Sequence, residues 1–140
     1  MKRLGVIVAA VAAWGLFPAP GDSQNAPLRE TVTVLAERAI PNAPGKQLVS
    51  LVVDYPPGAS SISHRHAQSA FIYAQVLSGS IRSQVNDEPV RVYRTGEFWF
   101  ENPGSHHRVS ANASNSEPAR LLAVFIVDAT ESELTTPDKE

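Results

Sequence analysis

The sequence predicts an all-β domain, a sandwich or barrel, on three observations. Apolar and β-branched residues gather in short runs, several alternating with polar residues as a half-exposed strand requires. Clusters of Pro, Gly, Asn, Asp and Ser punctuate those runs at close spacing. Beyond the N-terminal apolar run, no segment keeps a helical period. About nine strands result, with no internal repeat and no domain boundary. A chain of 140 residues fits one domain.

Residues 1–23 read as a secretory signal. Lys2-Arg3 supplies the positive start, and Leu4 to Phe17 is an apolar run of roughly 14 residues, short of the ~20 that a spanning helix needs. Ala19 and Gly21, or Gly21 and Ser23, offer cleavage positions. The mature chain is therefore expected to begin between Asp22 and Ala26, to be exported (periplasmic or secreted), and to keep no membrane attachment after processing. One domain over 28–130 and a polar tail over 131–140 complete the organisation.

Thr31-Val32-Thr33-Val34-Leu35 has the β-branched character of a first strand. A turn cluster, Pro41 to Gly45, leads into Leu48 to Tyr55, which Pro56-Pro57-Gly58 ends. Ala70 to Leu77 is a strand closed by Ser78-Gly79-Ser80. Ile81 to Val85 alternates, Asn86 to Pro89 is a hairpin-type turn, and Val90 to Tyr93 alternates again. Thr95-Gly96 turns the chain into Glu97 to Glu101, and His107 to Ser110 is a short strand beyond Pro103-Gly104. Ala119 to Val127, the most hydrophobic strand of the mature chain, is expected to be buried on both faces. Asp128 to Glu140 is charged and expected to fray. Gly58, Gly79, Gly96 and Gly104 read as turn residues with positive φ.

A net charge of −2 with scattered arginines offers no basic field, so nucleic acid is not an expected partner. With no cysteine, disulfides, thiolate metal sites and thiol catalysis are excluded. Any metal would be held by nitrogen and oxygen, which favours Zn, Fe, Mn, Ni or Cu.

All four histidines fall in two short windows, each behind a Pro-Gly turn. His64 and His66 are one residue apart, so in a strand they project to one face and into one space. His106 and His107 follow Asn102-Pro103-Gly104.

Gly58-x5-His64-x-His66, with Gly79 closing the next strand, resembles the first motif of the cupin superfamily. Gly96-Glu97-Phe98-Trp99-Phe100-Glu101-Asn102-Pro103-Gly104-Ser105-His106-His107 resembles its second, with His107 at the motif's histidine. Both motifs stand in order, and the resemblance spans roughly Leu48 to Val127. It implies a double-stranded β-helix (a jelly-roll barrel) with one divalent transition metal inside, ligated by His64, His66 and His107. Three imidazoles with open positions make a catalytic rather than a structural arrangement. Members of the superfamily perform dioxygen-dependent cleavage, lyase and isomerase chemistry on small polar molecules. Others bind metal or ligand without catalysis, and such barrels commonly pair as homodimers through their sheets.

One position departs from the pattern. Where cupins typically carry a glutamate ligand, seven residues before the closing glycine, this chain has Ile72, and no acidic residue lies between Asp54 and Asp87. Gln68, Gln75 and water are the candidate replacements. Strand alternation from Ile72 turns Gln75 to the opposite face unless a bulge intervenes. His106 reads as a supporting or surface residue, and Glu101 and Arg108 either orient a ligand or, the better reading, form an exposed ion pair. Phe98, Trp99 and Phe100 read most simply as core and barrel wall; the alternative is that one of them, Trp99 first, lines the pocket. Tyr73 and Gln75 share a face, either in the pocket or at an interface.

Overall fold

The computed structural model describes residues 27–139, in which the turn-punctuated runs form ten strands and no helix. In chain order they are β1 (Thr31–Ala39), β2 (Lys46–Tyr55), β3 (His64–His66), β4 (Phe71–Ser78) and β5 (Ser80–Val85). β6 (Arg91–Arg94), β7 (Phe98–Glu101), β8 (His106–Asn112), β9 (Ala119–Asp128) and β10 (Thr135–Pro137) follow. The strands build two five-stranded sheets, ordered β1-β2-β9-β4-β7 and β10-β3-β8-β5-β6. All pairings are antiparallel. Consecutive strands from β2 onward mostly alternate between the sheets, so neighbours within a sheet, such as β2 and β9, lie far apart in sequence, and the result is an all-β double-stranded β-helix. The proposed signal segment lies outside the described residues.

Strand alternation builds the interior. Val49, Leu51, Val53 and Tyr55 of β2, Ile72, Ala74 and Val76 of β4, and Leu121, Ala123, Phe125 and Val127 of β9 share one buried cluster. Sealing a side chain such as Ile72 from water is worth about 1.5–3 kcal/mol. β9 differs from expectation: its burial alternates, and every second residue from Arg120 to Asp128 is exposed or half-exposed. Among the described residues no second layer covers its outer face, so burial stops at one side.

The tail also differs from the expected fraying. Its strand β10 pairs with β3, Thr135 opposite His66 and Pro137 opposite His64. Ser63 anchors it, donating its hydroxyl to Asp138 Oδ2 at 2.6 Å, while the Asp138 N–H donates to the Ser63 carbonyl at 2.9 Å. Gly79 has φ +70°, and a Cβ there would sit 2.5 Å from the Pro118 carbonyl oxygen, so both conformation and space require glycine. Gly58, Gly96 and Gly104 adopt positive φ as well.

On the outer face of β4 and β7, Phe71 stacks on Phe100 with centroids 5.7 Å apart, and Tyr73 meets Phe98 and Phe100 at 5.5 Å. Phe98 and Phe100 are therefore exposed rather than core, and Tyr73 and Gln75 stand on this outer face, away from the interior.

Candidate metal centre

The first turn delivers His64 and His66 on the three-residue strand β3, and β8 delivers His107 as the direct cross-strand partner of His64. The ring centroids of His64 lie 4.8 Å from those of His66 and 5.3 Å from those of His107. One nitrogen from each of the three lies within 4.8 Å of the others. Ligands about 2.1 Å from a single ion stand roughly 3–4 Å apart, so closing the widest pair by roughly 1–2 Å would seat one. A bulge where β5 meets β8 at Gln84/Val85 lies beside His107.

Consecutive strand residues face opposite ways, and His106 accordingly leaves the interior. It is buried beneath β10, its Nε2 lying 2.7 Å from Asp138 Oδ2 and 3.1 Å from Ser63 Oγ. It braces the tail strand rather than facing the triad.

The largest departure from expectation is Glu101. It forms no exposed pair with Arg108, which binds Asp87 at 3.0 Å instead. Glu101 is 2% exposed and sits among the histidines, Oε2 at 3.0 Å from His66 Nε2 and Oε1 at 3.3 Å from His107 Nδ1. Trp99, buried in the wall, donates its indole N–H to Glu101 Oε1 at 3.0 Å; it supports the carboxylate and does not line the cavity. β7 pairs with β4 so that Glu101 lies opposite Ile72, the position of the absent glutamate. The alternation of Phe98-Trp99-Phe100-Glu101 turns Trp99 and Glu101 inward together. That alternation was the sequence signal for Glu101, and its place beside a turn obscured it. Gln68 is exposed against Gly104, and Gln75 points its amide to the Gly96 carbonyl at 3.5 Å, so neither reaches the cavity.

Electrostatics make this cluster receptive to a cation. Burial alone would raise the Glu101 pKa, but His66, His107 and the Trp99 N–H together outweigh it and hold the carboxyl down to about 2. Burial pushes His107 down to about 4, against the pull of Glu101, and also lowers His64. Near neutral pH the centre thus sets one buried carboxylate beside the neutral imidazoles of His64 and His107. The 3.0 Å approach of Glu101 Oε2 to His66 Nε2 is too poorly aligned to be a hydrogen bond, and both atoms are buried without a partner among the described residues, as is His66 Nδ1. Unpaired buried polar atoms are costly, and a shared divalent ion would satisfy them. Second contacts orient two rings: His64 Nδ1 lies 2.7 Å from the Ile62 carbonyl, and His107 Nε2 lies 2.9 Å from Ser83 Oγ. The residues fit a divalent transition metal.

The centre lies in a cavity of about 500 Å³ whose wall is mostly apolar, with Val53, Leu121 and Phe125 from one sheet and Leu134 and Pro137 from the tail. Tyr55, Ser61 and Ser110 form a hydroxyl chain at its edge, with both O···O distances 2.7 Å. Burial raises the Tyr55 pKa, so its hydroxyl stays protonated.

Solved structures share this fold at low identity. An uncharacterized conserved protein with a double-stranded β-helix domain from Klebsiella pneumoniae is 18% identical with a TM-score of 0.62, over 89% of this chain and 90% of that one. The DMSP lyase DddQ from Ruegeria pomeroyi is 21% identical with a TM-score of 0.60, over 80% of this chain and 54% of the lyase. An oxalate oxidase is 22% identical with a TM-score of 0.55, over 74% and 57%. No curated protein matches the chain. The model of the cupin domain family matches residues 51–125, a span that holds both histidine windows and Glu101. The chain belongs to the cupin family.

Proposed function

We propose that this cupin is an exported metalloenzyme in which His64, His66, His107 and Glu101 hold one divalent transition metal. A small, partly apolar molecule would bind at the ion's open positions. One observation carries the reading: a buried, ionised carboxylate sits among three imidazoles in a cavity of small-molecule size. When bound, the metal supplies Lewis-acid or redox activation of a coordinated oxygen. The chain's own part is to fix the donor set and to exclude water with the Phe125 and Leu134 walls. The likeness in fold to a lyase and an oxidase supports this reading by analogy and does not choose the reaction.

Export rests on the basic start and apolar run of residues 1–17, and N-terminal sequencing of the secreted or periplasmic form tests it. Pairing of two copies would use the exposed aromatic face of Phe71, Phe98 and Phe100.

Elemental analysis of protein purified without added metal tests the metal reading, and oxygen uptake or product formation with small phenols and organic acids tests the enzyme. About one transition-metal ion per chain with turnover supports both. Metal without turnover in any metal form leaves a binding module in place of an enzyme.

A further inference from the structure

The cavity holds a second carboxylate that the metal centre does not use. Glu30, just ahead of β1, lines the same cavity as the histidines. Its Oε2 is buried and has no hydrogen-bond partner among the described residues. Arg29 lines the cavity as well but makes no ion pair with Glu30: its guanidinium Nη1 donates to the Ser60 carbonyl, 3.3 Å away. His64 and Tyr55 line the same cavity. The hydroxyls there satisfy one another through the Tyr55–Ser61 and Tyr55–Ser110 bonds, so they leave Glu30 unserved. Apolar Val32, Val34 and Leu51 occupy the wall nearby.

A buried carboxylate oxygen without a donor, on a residue that lines an apolar cavity, costs free energy, and the partner that offsets this best carries both an N–H and a positive charge. We propose that Glu30 recognises a cationic nitrogen, so that the ligand is a small molecule with an amine for Glu30, an oxygen donor for the metal and hydrocarbon between them. The metal-facing half of this inference rests on the reading above; the Glu30 half stands on the cavity alone. The apolar wall selects against highly polar ligands, and Glu30 selects against purely anionic ones.

Two sets of probes separate the halves. Hexylammonium against 1-hexanol, titrated by NMR into metal-free protein, reads Glu30 without any metal. Alkyl hydroxamates of two to six carbons, ending in either an amine or a methyl, are titrated into zinc-loaded protein and read both ends. We expect hexylammonium and the best amino-hydroxamate to bind roughly tenfold or more tighter than their uncharged counterparts. That preference should vanish in Glu30→Gln, whose melting temperature and zinc content should match the wild type. A wild type without the preference, or a Glu30→Gln variant that keeps it, overturns the proposal. If the amine preference holds but the hydroxamate group adds nothing over the plain amine, Glu30 recognition stands and the metal reading falls.

Discussion

Glu101 faces Ile72 across the β4–β7 ladder. The carboxylate that the family pattern expects on β4 is thus supplied to the same interior space from the adjoining strand. Because paired inward residues stand about 4.5–5.5 Å apart at their Cβ atoms, the shift is within the reach of a glutamate side chain.

Exchanging the pair should move the carboxylate without losing the site. Glu101→Ala should weaken metal binding by roughly 100-fold or more, and adding Ile72→Glu to it should recover most of that loss. Chelator competition reads both. Wild-type affinity in Glu101→Ala would remove Glu101 from the donor set.

His64 is the ligand to delete for a clean test, because it is only half-buried while His66 and His107 are buried. His64→Ala should abolish stoichiometric metal yet leave the metal-free melting temperature nearly unchanged. Wild-type protein should gain about 2.7 kcal/mol at metal concentrations 100 times Kd, and the variant should gain none. Full metal retention in the variant would refute the assignment.

The metal-free protein should lose stability as pH falls from about 6.5 to about 4. In the folded state His107 is held down to about 4, and His64 is lowered as well, while both return to about 6.5 when unfolded. The unfolded chain therefore binds more protons across that window, so acid favours it; for His107 the effect is on the order of 3 kcal/mol. Glu101 adds a further loss below its unfolded value of 4.5, as pH falls toward about 2. Urea melts across pH 4–7 measure this, and a flat profile would contradict buried neutral imidazoles.

The tail strand should loosen on its own when its anchor is cut. Asp138 accepts from Ser63 and stands 2.7 Å from His106 Nε2, and both neighbours lower its pKa. In Asp138→Asn, amide exchange should quicken at Asp138 and at Ala67, whose N–H donates to the Leu134 carbonyl, while β2 and β9 stay protected. Uniform quickening would mean that β10 supports the whole barrel.

If two copies pair through the aromatic face, replacing Phe98 and Phe100 with Ser should shift the mass in solution from dimer to monomer. Both side chains are more than half exposed, at 52% and 55%, so the barrel itself should keep its melting temperature. A monomeric wild type would exclude the pairing.

Much of this architecture was legible in the chain. Strand alternation and turn clusters located nine of the strands, because period-two burial is a local property. His64 and His66 were legible as one unit for the same reason. β10 was not, since Thr135-Thr136-Pro137 owes its order to β3 and Ser63, contacts that no local pattern announces. Glu101 and Arg108 look like an ion pair by proximity in sequence, but which partner each meets is set by the β4–β7 and β5–β8 registers. Glu30 was invisible because its significance lies in a missing partner.

The coordination shell of the bound ion tests the central claim most directly. X-ray absorption on protein with one equivalent of metal should show three imidazole nitrogens and a carboxylate oxygen, with the carboxylate lost in Glu101→Ala and no protein-bound shell left in His64→Ala. Protein that takes up none of Fe, Mn, Zn, Ni or Cu, or a shell unchanged in both variants, would contradict it.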